Sequence, residues 1–262
     1  LLLLEHPHVY TLGRRFSKQH LLADQAFLAA RGIEVQECDR GGSITYHGPG
    51  QLVGYPILDL RRPRGSRAGN DPEPRPDAIR YLRTLEEALI RAVRSLGVIA
   101  GRRPGLTGVW VGEAKLASIG VNVSRGVSKH GFAMNVATDL SYFEGIVACG
   151  IPEVEFTSLE RLLRRAVPVE AVMGSVVSSL AKLLHRRAVS GSLLELGISP
   201  PSVASERAGG EGASGKVIEL SARRSLPDAP RQDSLPSGTS GAGPGSLDSA
   251  GKERGEIEEG RI

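Results

Sequence analysis

A cysteine, a lysine and a glycine-rich run hold the chemistry this sequence could perform. Cys149 sits in Ala148-Cys149-Gly150-Ile151-Pro152, an irregular segment bounded by Gly and Pro, and functional groups concentrate on such loops. A free cysteine is more often a small buried hydrophobe. Cys38, in an expected strand among charged residues, fits that description. To act as a nucleophile a thiol must ionise, helped by a nearby lysine, protonated histidine or helix amino terminus. Lys115, His47 and His130 are the candidates for that partner. Lys115 opens a run of otherwise small and apolar residues, Lys115-Leu116-Ala117-Ser118-Ile119-Gly120. Its ammonium either reaches solvent along its stem or, desolvated beside a thiol, tunes that thiol's acidity.

The glycine-rich run is Arg40-Gly41-Gly42-Ser43-Ile44-Thr45-Tyr46-His47-Gly48-Pro49-Gly50-Gln51, with four glycines in twelve residues. Such a backbone can bend sharply or approach a ligand closely. A plain hairpin turn would not need Thr, Tyr, His and Gln among the glycines, so a ligand-binding loop is weighed evenly against a turn. A third stretch, Ser128-Lys129-His130-Gly131-Phe132-Ala133-Met134-Asn135-Val136, alternates small and large residues. It suits a strand with room for a ligand on one face, and equally suits close packing.

The elements that must position these groups follow from pattern. Leu1 to Leu4 suit a buried strand. Ser17 can cap a helix to about Arg31, stopped by Gly32. Ile33 and Val35 alternate as a short strand. Asp39 to Gln51 reads as a loop, and Leu52 to Leu60 as a strand. Arg61 to Pro76 is a solvated Pro-, Gly- and Arg-rich connection. Ile79, Leu82, Leu85, Leu89, Val93 and Leu96 recur every three or four residues, which predicts an amphipathic helix ending at Gly97. Val109–111, Lys115–Val123 and Phe132–Val136 read as strands. Val169 to Leu184 carries a last helix. Strands interspersed with helices imply an α+β fold, a mixed β-sheet flanked by helices.

Composition bounds the rest. The 262 residues include 11 aromatics, the last of them Phe156. From Pro201 onward 26 of 62 residues are Gly, Ser or Pro, too little apolar surface to offset ordering entropy. The expectation is therefore a folded domain over 1–190 and a disordered tail over 191–262. Two cysteines cannot build a disulfide scaffold, and no CxxC or CxxH pair suggests zinc. The leading apolar run is far too short to span a bilayer. These features suit a soluble chain of a reducing compartment. A net charge of +4 is mild for a dedicated nucleic-acid binder. Eleven arginines between Arg61 and Arg103 could still make a local basic surface.

Together, and in this order, these pieces resemble the lipoyl(octanoyl) transferases. The resemblance runs from Glu5-His6 through Thr11-Leu12-Gly13-Arg14, the Arg40–Gln51 loop, Tyr55-Pro56-Ile57, Leu85-Glu86-Glu87 and Gly108-Val109-Trp110. It continues through Lys115–Gly120, His130–Val136, Cys149-Gly150-Ile151 and Thr157-Ser158-Leu159. The loop RGGxxTYHGPGQ together with the later CGI is its most specific part.

The resemblance implies the biotin/lipoate protein ligase-like catalytic fold, with the family's first strand and helix expected ahead of Leu1. It implies Cys149 as acyl-thioester nucleophile, Lys115 as the lysine that lowers its pKa, and His47 as a positioning or proton-exchanging group. Acyl-substrate contacts fall on Arg40, Gly41, Gly42, Ser43, Ile44, Thr45, Tyr46 and His47, on Ser118, Ile119 and Gly120, and on Gly131, Phe132 and Ala133. The implied donor is octanoyl-acyl carrier protein, whose acidity the Arg61–Arg103 stretch could meet. The implied acceptors are lipoyl domains of 2-oxoacid dehydrogenases and the glycine-cleavage H protein.

No cofactor, metal, nucleic acid or membrane is implied, and a monomer in the cytoplasm is expected, with a mitochondrial origin left open. Departures from the pattern are Ala148, where the family has proline, the long Arg61–Pro76 connection, and the tail. Two other readings stand beside this one: an ATP-dependent lipoate or biotin protein ligase, and a non-catalytic carrier-protein or nucleic-acid binding module.

Overall fold

Arg125 and Gly126 both take positive φ, 49° and 81°, the two-residue geometry whose twist matches that of paired strands. The chain reverses there and joins β8 (Ala114–Ser124) to β9 (Val127–Asn135), paired from Ser124↔Val127 back to Ala117↔Met134. Around this hairpin the sheet grows on both sides. β7 (Leu106–Val111) and β6 (Gly101–Arg103) extend it beyond β8, and β5 (Gln51–Tyr55) and β1 (Leu2–Leu4) extend it beyond β9. The structure, a computed structural model, describes residues 1–61, 77–148, 154–191 and 216–222, all within one compact unit, Leu1–Arg223.

Among the described residues the strands form two sheets. The larger has the order β10-β11-β1-β5-β9-β8-β7-β6, with β10 (Arg186–Gly191) and β11 (Lys216–Ala222) completing one side. Every pairing in it is antiparallel. The mixed character lies in the smaller sheet. There β2 (Val9–Leu12) runs parallel to β3 (Glu34–Glu37) and antiparallel to β4 (Ile44–His47).

One face of the large sheet is covered by two helices, α2 (Ala78–Arg94) and α4 (Glu170–Leu183), which pack on each other, with the short α3 (Leu159–Leu163) ahead of α4 in the chain. Leu85, Leu89 and Val93 of α2 and Val172, Val176 and Leu180 of α4 meet Leu52, Leu116 and Met134 in a buried core. The spacing of Leu85, Leu89 and Val93 matches this face, whereas Ile79, expected on it, is 74% exposed in the first turn of α2. Asp77 starts α2 by accepting from Arg80 N at 2.8 Å, and Gly97 follows its end with φ +86°. A second core, around Tyr10, Ile44, Tyr46, Phe143 and Ile146, lies against the small sheet.

Local competition changes several expected elements. The helix read from Ser17 to Arg31 is split into a 3₁₀ turn at Lys18–His20 and α1 (Gln25–Ala30). Asp24 caps α1 by accepting from Phe27 N at 2.7 Å, so the second start signal takes over. The stretch 39–51 is not loop throughout, because Ile44–His47 pairs with Val9–Leu12 as β4. The strand beginning near Leu52 stops at Tyr55, since Pro56 has no N–H to continue a ladder. Strand β11 falls within 191–262, the stretch read as tail. The rest of that stretch beyond β10 lies outside the described residues, as does most of Arg61–Pro76.

The basic stretch is largely compensated where it is described. Arg83 and Arg102 both bind Glu86, at 2.7 and 2.9 Å. Arg91 and Arg102 bind Glu87, and Arg103 binds Glu113. Glu86 is wholly buried, and its Oε1 also accepts from Gly108 N at 3.1 Å. It therefore joins α2 to β7 through a buried backbone donor. Glu86→Ala strands that N–H and should lower stability by about 1–3 kcal/mol, read as a lower urea midpoint at unchanged slope.

Candidate active site

A cleft of about 160 Å³ lies between the two sheets. That volume compares with the ~150 Å³ apolar cavity known to accept benzene, so it suits a slender apolar group. Strand alternation builds its floor. Val53 and Tyr55, Ser118 and Gly120, Gly131 and Ala133 share the sheet face turned away from α2 and α4. Ile119 and Phe132, between them in sequence, join the helix-side core and also border the cleft. The roof comes from residues 40–47. Gly41 N donates to Val121 O at 3.0 Å, tying roof to floor. A Cβ at Gly120 would stand 2.8 Å from Gly41 O, so this contact needs glycine.

Arg40 does not project into solvent. Its Nε donates to Thr11 Oγ1 at 3.1 Å, and a terminal nitrogen donates to Thr11 Oγ1 at 2.9 Å and to Thr11 O. The guanidinium thus pins the start of the glycine loop to β2. Ser43 is buried and hydrogen-bonded to His20 Nδ1 at 2.7 Å. That ring nitrogen also accepts from Ser17 N, so the Ser43 hydroxyl is the donor. Ile44, Thr45 and His47 border the cleft. Tyr46, assigned to the substrate by resemblance, is not brought there. It lies in the second core, 4.9 Å ring to ring from Tyr142 and hydrogen-bonded to His8. Alternation along β4 sends Thr45 and His47 one way and Tyr46 the other.

His47 begins a buried polar chain. Its Nδ1 lies 2.8 Å from Gln51 Oε1. Gln51 Nε2 donates to Tyr46 O at 3.2 Å and to Asn135 Oδ1 at 3.0 Å. Asn135 Nδ2 donates to Thr157 O at 3.1 Å, and Thr157 N donates to Lys115 O at 3.0 Å. Since Gln51 Oε1 can only accept, His47 Nδ1 carries the proton and Nε2 keeps its lone pair. Burial pushes the His47 pKa down to about 3, so the ring is neutral near pH 7.

Lys115 is the second residue of β8, three before Ser118, and is only 2% exposed. Its backbone bridges the 155–157 segment, donating to Glu155 O at 2.8 Å. Its Nζ stands 5.0 Å from the Trp110 ring centre. Cys149 lies outside the described residues. Ala148 and Val154, the described residues on either side of 149–153, line one hollow of about 810 Å³. Ala114 and Thr157, which adjoin or bond Lys115, line the same hollow.

Other groups here carry no local signal. Gln51 closes the glycine-rich run and Asn135 stands one residue before the end of the Ser128–Val136 stretch, yet nothing in their spacing says that they meet. Thr11 and Tyr55 entered only as motif letters. His130 lines the cleft's edge with φ +59° and binds Asp39 at 2.5 Å. His130 and Lys129 together hold the Asp39 carboxyl well below the usual range. Among the described residues no His, Cys, Asp and Glu cluster could hold a metal ion, and no helix is long and apolar enough to cross a membrane.

Comparison with known proteins places this architecture. The sequence model of the family described as "Lipoyl protein ligase A/B catalytic domain" matches residues 1–181. A Koribacter versatilis protein named octanoyltransferase is 49% identical over 176 residues, 66% of each chain. One from Acidobacterium capsulatum is 54% identical, covering 61% of this chain and 66% of its own. One from Geobacter metallireducens is 48% identical, covering 71% and 79%. The match to the first two spans just under two thirds of their length. Among solved structures, lipoate-protein ligase A bound with ATP superposes with a TM-score of 0.55 at 20% identity, covering 70% of this chain and 72% of its own. The bipartite lipoate protein ligase of Thermoplasma acidophilum gives 0.51 at 20%, covering 70% and 71%. At such identity these two speak for the fold alone.

The neutral, buried His47 has a pH consequence. Its folded pKa, about 3, lies below the ordinary 6.5. Unfolded chain therefore takes up a proton that the folded chain refuses, and stability falls as pH drops from about 6.5 toward 3. Urea midpoints between pH 7 and pH 4 should fall more steeply for wild type than for His47→Asn. Parallel curves would contradict this account.

Proposed function

The chain belongs to the lipoyl protein ligase A/B catalytic-domain family, and from that premise we propose that it is an octanoyltransferase. It takes the octanoyl group from octanoyl-acyl carrier protein and passes it, through a thioester on Cys149, to a lysine of a lipoyl domain. Lipoyl domains of 2-oxoacid dehydrogenases and the glycine-cleavage H protein are the acceptors. The observation that carries this reading is a juxtaposition on one strand. β8 offers a buried lysine at its start and, three residues on, the glycine-floored wall of a narrow cleft.

The steps balance without a cofactor. Lys115 as ammonium favours the Cys149 thiolate, whose sulfur attacks the acyl carbonyl carbon. The bond from that carbon to the pantetheine sulfur breaks, and the leaving thiolate takes up a proton. The straight acyl chain occupies the cleft. The acceptor amine then attacks the Cys149 thioester, losing a proton as the Cys149 sulfur departs and an amide forms. Thioester to amide is downhill, so no ATP is consumed. His47, with its lowered basicity, serves as a fixed hydrogen-bond acceptor near pH 7 and leaves proton transfer to other groups. A cytoplasmic setting accords with the bacterial sources of the related proteins.

The ligase alternative shares the fold but activates a free acid with ATP and has no use for a cysteine nucleophile. A binding module would need neither Lys115 nor Cys149. Incubation with octanoyl-acyl carrier protein and no ATP should add one octanoyl mass to the intact chain, localised to Cys149. Cys149→Ser should abolish turnover, and wild-type transfer by that variant would end this assignment. Lys115→Arg keeps a charge in a different shape and should cut kcat by roughly tenfold or more.

A further inference from the structure

Two segments of the family-like pattern, Leu85-Glu86-Glu87 and Gly108-Val109-Trp110, have no part in the chemistry above, yet both converge on Lys115. Trp110 is the cross-strand partner of Lys115, and its ring centre lies 5.0 Å from Lys115 Nζ. Gly108 takes φ +130°, and a Cβ there would stand 2.7 Å from Lys115 Cε and 2.6 Å from Ala117 O. The lysine stem therefore runs through space that only glycine leaves open. Gly108 N is held in turn by the buried Glu86 carboxylate at 3.1 Å.

The indole itself is placed at a cost. Trp110 Nε1 is buried and has no hydrogen-bond partner, alone in this among the buried side-chain nitrogens and oxygens of the described residues. Buried indole N–H groups ordinarily find an acceptor. Burial of apolar surface alone would be met by Phe or Leu without stranding a donor. What those residues lack is the electron-rich indole face, the strongest of the aromatic faces toward a cation. Arg103 also lies over this ring, 5.0 Å from its centre, but that guanidinium is paired with Glu113.

We propose that Trp110 is a positioning residue for acyl transfer, its ring face fixing the Lys115 ammonium in the place from which it favours the nucleophilic thiolate. Gly108 opens the path of the lysine stem, and Glu86 holds Gly108. The proposal rests on the assignment of Lys115 and Cys149 made above, and it adds a group that helps to hold the cation.

Trp110 is the chain's single tryptophan, which allows a test of the ring's electrons apart from its shape. Fluorine withdraws density from the indole face. Enzyme produced with tryptophan carrying one to four ring fluorines should lose kcat in graded steps. Iodoacetamide alkylation at pH 7, read by mass spectrometry on the Cys149 peptide so that Cys38 does not count, should slow in parallel. A fall of roughly 3- to 10-fold across the series is expected, with Trp110→Leu at or beyond the low end. A flat series with unchanged thermal melts overturns the proposal. Lys115→Met separates it from its premise. If that variant alkylates Cys149 at the wild-type rate, the Lys115–Cys149 assignment falls. If it slows while the fluorinated series stays flat, only the role of Trp110 falls.

Discussion

The site depends on how closely two backbones approach. Gly41 crosses β8 at hydrogen-bond distance from Val121 O, and Gly120 faces the Gly41 carbonyl with no room for a methyl group. Side chains at those positions would hold the small sheet off the large one, and the cleft would become an open groove. Arg40 works to the same end from the other side. By donating to Thr11 from Nε and one terminal nitrogen, it fastens the glycine loop to β2 and so to the small sheet. A narrow slot suited to an unbranched apolar group is what remains once both ties are made.

Within that frame every buried side-chain nitrogen and oxygen of the described residues but one has a hydrogen-bond partner. His47, Gln51, Asn135 and Thr157 form one connected chain that ends on the backbone of Lys115. Such a chain stiffens a core when every member is paired, and it settles which nitrogen of His47 carries the proton. It also joins the cleft wall on β4 to the start of β8 through buried residues. The stranded Trp110 N–H stands out against this background, because no other buried side-chain nitrogen or oxygen of the described residues lacks a partner.

Much of this was legible in the sequence, for identifiable reasons. The helix at Ala78–Arg94 announced itself through Leu85, Leu89 and Val93, whose spacing has no other reading. The Gly-rich run was suspicious because Thr, Tyr, His and Gln sat among glycines. What stayed hidden was pairing across long separations. β4 looked like loop because its four residues lie between glycines, and only Val9–Leu12 makes them a strand. The resemblance gives Tyr46 to the substrate along with its neighbours, and the period of two along β4 turns its ring to the second core instead. Gln51 and Asn135 meet across 84 positions, which no local pattern encodes. In β11 a short alternating run, Lys216–Ala222, was swamped by the composition around it.

The Arg125–Gly126 turn has a meaning for how the molecule is assembled. The floor of the cleft comes mainly from β8 and β9, which that turn holds next to each other with almost no loop to close. The roof needs Arg40 and Gly41 to find Val121 some eighty residues away, a closure with a far larger entropic penalty. The floor of the cleft therefore costs little chain entropy to bring together, and the roof carries most of that cost. A change that loosens the chain between Gly41 and Val121 weighs on the enclosure of the site and leaves its floor in place.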